Sequence, residues 1–189
     1  MSRARVAAPA ALLLLAACAS RPPAESELFL LRPAAPDSRP VAPAAPVLRL
    51  APVDLAAHLR GLSYVESNGR VTTLVNVRFA APLAELIEDA VVDRLRASGR
   101  FSAVLPHGHP GRSERTLRLR VRRCEIDASG AAYEAVVALE GTLDDDASRL
   151  ARPFRAEGRA TPRGEGAAAH VRALEDALRV ALDGLERAL

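Results

Sequence analysis

Three consecutive segments between residues 115 and 160 alternate apolar and charged side chains with a period of two, and this pattern constrains the fold more than any other feature. Leu117, Leu119 and Val121 are set against Arg118, Arg120 and Arg122. The apolar phase then moves to Cys124 and Ile126, which predicts a bulge or strong twist near Arg123. The second segment points Tyr133, Ala135, Val137, Leu139 and Leu143 inward and Glu134 and Glu140 outward. The third does the same with Phe154, Ala156 and Ala160 against Arg155, Glu157 and Arg159. Asp127 to Gly130 and Asp144 to Ser148 supply the turns. An antiparallel meander with one buried face follows.

Something apolar must cover that face, and two segments have the 3.6-residue period to do so. Leu83, Leu86, Ile87, Ala90, Val91 and Leu95 form one stripe, with Pro82 near the first turn and Ser98-Gly99 as a left-handed stop. Glu85, Glu88 and Asp89 near the start and Arg94 and Arg96 near the end suit the helix dipole. From about Gly166 to Leu189, Val171, Leu174, Leu178, Ala181, Leu182, Leu185 and Leu189 form the second stripe. The predicted class is α+β: an antiparallel sheet with two amphipathic helices packed on one face.

Shorter strands are expected at Leu28 to Leu31, Val47 to Val53, Leu62 to Glu66 and Val71 to Val75, the last two joined by a Ser67-Asn68-Gly69 hairpin turn. Phe101 to Leu105 is read as a further extended piece. Pro33, Pro36, Pro40, Pro43 and Pro46 keep the intervening stretch free of helix and inner strand.

The N-terminus has the parts of an export signal. Arg3 and Arg5 are basic, Leu12 to Leu15 form a short apolar run, and Leu15-Ala16-Ala17-Cys18 matches a lipobox. The run is too short to span a bilayer, which needs about 20 apolar residues. Residues 1–17 are thus expected to be a signal peptide, 18–26 a lipidated tether, and 27–189 a single periplasmic domain. Acylation of Cys18, palmitate included, gives stable anchoring once more than one chain is attached. Ala19 and Ser20 follow, without an aspartate retention signal, so the periplasmic face of the outer membrane is the expected address. With Cys18 acylated, Cys124 has no partner for an intrachain disulfide.

Loss of Arg3 and Arg5 with the leader lowers the formal charge from +3 to +1, too little for a nucleic-acid partner. Aromatics make up 3%, too few for a base-stacking platform. His107 and His109 are a close pair without further ligands around them, so no metal is assigned. Asp144-Asp145-Asp146 lacks the spacing of a hard-cation loop and reads as a solvated turn. Cys124 falls on the apolar strand face and reads as a core residue, although Arg123 adjoins it. Arg118, Arg120 and Arg122 could meet anionic lipid head groups or an acidic partner; cross-strand pairing with Glu134 and Glu140 is the simpler account. No catalytic constellation and no cofactor motif is found, and the chain is read as non-enzymatic.

Several runs carry a resemblance: Val47-Leu48-Arg49-Leu50-Ala51-Pro52-Val53, Tyr64-Val65, Arg78-Phe79-Ala80-Ala81-Pro82-Leu83 and Leu95-Arg96-Ala97-Ser98-Gly99-Arg100-Phe101. Together with Leu28 to Pro33 they resemble the auxiliary lipoprotein component of ABC-type transport systems, the family of the paraquat-inducible lipoprotein. The family commonly has tryptophan where Phe79 stands, and this chain has none. The resemblance implies a non-enzymatic outer-membrane subunit for lipid traffic between envelope membranes. Its implied partners are a mammalian-cell-entry-type periplasmic protein and an ABC permease and ATPase. It also permits a homo-oligomeric ring. It brings no catalytic residues. Arg78, Phe79 and Pro82, just before the first helix, are the candidate docking residues, with Phe79 either an exposed anchor or a staple for the helix start. An envelope assembly lipoprotein that partners a lipopolysaccharide-exporting barrel is the alternative.

Overall fold

The computed structural model describes residues 26–34, 37–59, 61–74 and 76–189. The signal peptide, Cys18, the tether up to residue 25, Pro36 and Val75 lie outside the described residues. Among the described residues the elements run in the order β1 (Glu27–Phe29), β2 (Val47–Leu50), β3 (Asp54–Leu55), β4 (Ser63–Glu66), β5 (Val71–Thr73), β6 (Val77–Phe79), α1 (Leu83–Ala97), β7 (Ala103–Leu105), β8 (Arg115–Ala128), β9 (Glu134–Asp145), β10 (Leu150–Ala160) and α2 (Ala167–Ala188). The class is α+β, as the patterning predicts.

The three long strands form the expected meander, β10-β9-β8, antiparallel throughout. The register slips between Val121 and Arg123, where the apolar phase changes. The slip keeps Cys124 and Ile126 on the face that Leu117, Leu119 and Val121 occupy, all five within 3% of full burial. Tyr133 departs from expectation. It stands just ahead of β9 and is 54% exposed, so the inward set of that strand starts at Ala135.

The other edge of β8 is less regular. β2, β3 and β4 pair with it one after another, all parallel, at Arg115–Leu117, Arg120–Val121 and Ile126–Ala128. β7 adds to β2 in parallel, and β5 closes the hairpin on β4. Gly69 takes a φ of 79° in that turn, as the Asn-Gly pair predicts. β1 and β6 form a separate parallel pair, Leu28 opposite Arg78 and Phe29 opposite Phe79.

α2 packs across β10, β9 and β8, while α1 sits beside it near β7. Small residues bring α2 very close to β10. A Cβ on Gly158 would stand 1.9 Å from the Ala177 carbonyl oxygen and 2.6 Å from the Ala181 amide nitrogen. Gly184 of α2 lies over Ala156 of β10, where an added Cβ would stand 3.2 Å from the Ala156 Cβ. Gly99 ends α1 with a φ of 68°, its α-carbon pressed against the Pro40 carbonyl.

An ionic cluster ties the helices to the proline-rich stretch. Glu186 of α2 is buried, 7% exposed, and accepts hydrogen bonds from Arg39 at 2.8 Å and from Nε of Arg94 at 2.7 Å. Arg100 donates to the Glu186 backbone carbonyl. Arg94 Nη2 also lies 2.7 Å from Asp183 Oδ1, an ion contact outside hydrogen-bond alignment.

Candidate docking surface

Arg78 and Phe79 belong to β6, and Pro82 caps the start of α1. A short strand followed within three residues by a helix brings these side chains to one corner of the molecule. They border a cleft of about 590 Å³ whose other walls include Gly61, Thr73, Leu74 and Leu83. Arg78 and Pro82 are exposed. Phe79 is half-buried: it packs against the core and also lines the cleft. β1 flanks this corner, because Glu27 donates to the Asn76 carbonyl and Ala80 to the Phe29 carbonyl.

The remaining sequence candidates are dispersed. His107 and His109 are both exposed, in the loop after β7. His109 Nδ1 accepts the Gly111 amide proton. Among the described residues no three His, Cys, Asp or Glu side chains converge as metal ligands. The three consecutive aspartates diverge. Asp144 pairs with Arg118 at 2.7 Å, Asp145 with Arg115 at 3.3 Å while also accepting from Ser148, and Asp146 bonds through its backbone to Glu114. Cys124 is fully buried, and that burial pushes its thiol up to about 12.

The outward face of the meander is charge-paired, though not in the expected partnerships throughout. Arg122 reaches Glu140, which Arg155 shares, but Arg120 meets Asp54 and Glu134 is taken by Arg159. These exposed pairs hold little stability each.

Two constellations were not foreseen. Glu125, 2% exposed on the outward face of β8, accepts from Arg123 at 2.6 Å and lies 3.1 Å from His58 Nε2. Arg123 extends the chain to Asp127 at 2.8 Å. The bulge places Arg123, Glu125 and Asp127 in a row, and the loop before β4 supplies His58. Hydrogen bonds from Ser129 and Arg123 hold the Asp127 carboxyl down to about 2. Its folded value lies below its unfolded value, so its contribution is present above about pH 4 and is lost as pH falls toward 2. Asp127→Asn is therefore expected to flatten the acid limb of stability between pH 4 and 2, measured by urea unfolding at a series of pH values.

The second constellation joins Tyr64, Tyr133 and His170. The Tyr64 hydroxyl lies 2.8 Å from His170 Nδ1, and the three rings meet edge to face with centroids 5.3 to 6.3 Å apart. Burial pushes the His170 imidazole below its ordinary value and the Tyr64 hydroxyl above its own. Tyr64 and His170 are 106 residues apart in sequence, and no local signal joins them.

Comparison with known proteins agrees with the α+β fold. A family model described as the ABC-type transport auxiliary lipoprotein component matches residues 29–183. The fold is similar to the crystal structure of a Xanthomonas campestris protein of the DUF330 family, at 22% identity and a TM-score of 0.68, covering 85% of this chain and 93% of that one. It is also similar to the crystal structure of an uncharacterized protein, at 18% identity and a TM-score of 0.61, covering 86% and 97%. No curated protein matches the chain.

Proposed function

The chain belongs to the family of ABC-type transport auxiliary lipoprotein components, and from that premise we propose that it is a non-enzymatic docking subunit of an intermembrane lipid transporter. Cys18 carries the acyl anchor that holds it to the periplasmic face of the outer membrane. The cleft bordered by Arg78, Phe79 and Pro82 receives the mammalian-cell-entry-type protein that leads to the permease and ATPase.

One observation carries the reading: β1, the first described element after the lipobox, pairs directly with β6, the strand that bears Arg78 and Phe79. Anchor and docking corner are thereby coupled through nine residues of chain, at most about 30 Å of reach. No described helix is long and apolar enough to cross a membrane, so a lipid anchor is the means of attachment the reading requires. A half-buried phenylalanine beside an exposed arginine is also the composition of an interface anchor.

Affinity purification of the full chain from detergent-solubilised envelopes tests this. The expected outcome is recovery of the transporter subunits with the wild type and a loss of roughly 30-fold with Arg78→Glu plus Phe79→Ala, the scale of an interface hot spot of about 2 kcal/mol. Thermal unfolding of the variant guards against a folding defect. Recovery of an outer-membrane barrel in place of transporter subunits sinks the reading. Labelling with radioactive palmitate, wild type against Cys18→Ser, examines the anchor separately.

A further inference from the structure

Two exposed large apolar side chains stand close together on the outward side of β1 and of the residues that follow it, whereas the others among the described residues, Val41, Val71, Tyr133 and Leu150, belong to separate segments. Leu28 is 66% exposed and Leu30 41% exposed. Strand alternation turns Phe29 and Leu31 toward the core and Leu28, Leu30 and Arg32 away from it. Across the parallel ladder Leu28 is opposite Arg78, which places both on one face, with exposed Ala80 beyond. Neither Arg32 nor Arg78 forms an ion pair with a carboxylate among the described residues, in contrast to the arginines on the outer face of the meander. Glu175 lies nearby, but it accepts the backbone amide of Arg32.

We propose that Leu28, Leu30 and Arg32, with Arg78 at the edge shared with the docking cleft, form a membrane-contact patch that lays this corner of the domain on an anionic lipid surface. The inference rests on the Cys18 anchor of the function above. Three observations choose the occupant. The acyl-bearing cysteine precedes the patch by so few residues that the patch cannot leave the vicinity of the bilayer. Two leucines on the outward side of β1 and of the residues that follow it suit the interfacial zone, where apolar side chains bury shallowly. Two guanidinium groups without acidic partners complement lipid phosphates, and each basic residue near an anionic surface strengthens binding about fivefold. The patch is thus a second, weak attachment that orients the domain, while the lipid chains hold it.

The full-chain lipoprotein, purified from membranes and reconstituted into phosphatidylcholine vesicles with or without phosphatidylglycerol, provides the test. An environment-sensitive fluorophore is attached at Leu28→Cys, and at Leu150→Cys as the control. Leu150 pairs with Asp145 at the Arg115 end of β8, whereas β4 lies at the Ala128 end, on the side of the β1–β6 corner. Cys124 is buried with a protonated thiol and stays unlabelled. The expected result is that nitroxide lipids quench the label at position 28 several-fold more than that at 150. Quenching at 28 should rise with phosphatidylglycerol, and Arg32→Ser plus Arg78→Ser should remove that rise. Equal quenching at 28 and 150 in protein that floats with the vesicles overturns the patch and leaves the anchor standing. A label at 28 shielded from both nitroxide lipid and aqueous iodide means that another protein surface covers it, which also overturns the patch. Protein that does not float at all removes anchor and patch together.

Discussion

Gly158→Val is expected to destabilise the domain by roughly 3–5 kcal/mol, with Gly158→Ala already costing most of that. The first added carbon would stand 1.9 Å from the Ala177 carbonyl oxygen, well inside any van der Waals separation. The neighbours are helix backbone, so no side-chain rotation relieves the contact; α2 itself must move away from β10. That movement would open the layer that buries Leu174, Leu178 and Leu185, each at most 0% exposed. Because α2 is also bound through Glu186 to Arg94, the displacement cannot be absorbed at its C-terminal end. Urea unfolding at neutral pH measures the cost. Gly130→Ala is the matched control: its nearest neighbour would be 3.7 Å away in an exposed turn, and a change within about 0.5 kcal/mol is expected there. A Gly158→Ala variant as stable as wild type would show that the helix is not seated this closely.

Glu186→Ala should cost about 3 kcal/mol, or a fall in Tm of roughly 10 °C for a domain of this size. The carboxylate is the shared acceptor of Arg39 and Arg94. Arg39 is 63% exposed and can return to water, so its loss contributes little. Arg94 is only 14% exposed, and its remaining carboxylate partner, Asp183, is not aligned for a hydrogen bond. A buried cation is thereby left with incomplete compensation, which is the expensive outcome. Arg39→Ala is expected to lose less than 1 kcal/mol. The contrast between these two variants in thermal unfolding distinguishes a desolvated cluster from a surface pair.

Legibility in the sequence followed the range of the interactions. The meander, the bulge near Arg123, the Asn-Gly hairpin and both helices are local patterns, each set by alternation, period or turn chemistry within about 20 residues. The parallel additions to β8 are different. Leu48 meets Arg115 and Tyr64 meets Ile126, and no pattern in either partner encodes the match. Tyr133 fitted the alternation by position, yet it lies beyond the end of the ladder, where its ring meets Tyr64 and His170 and its side remains open to water. At the candidate corner, Arg78, Phe79 and Pro82 were singled out by the family resemblance and by their place before the first helix, whereas β6, the strand that carries two of them, was not foreseen. The Glu125 cluster was not, because a buried glutamate on an outward strand face looks like any solvated charge until His58 arrives from a distant loop.

The arrangement of β2, β3 and β4 along a single edge of β8 has a kinetic consequence. The chain emerges from the ribosome, and later from any translocation pore, with residues 47–66 well ahead of residues 115–128. The earlier strands therefore have no template until more than half of the polypeptide is available, and their pairing is long-range and slow. The meander and α2 pair mainly with their neighbours in sequence, whereas β2, β3 and β4 must wait for β8. Chaperones and proteases will accordingly meet the chain at the end that was made first and finishes last.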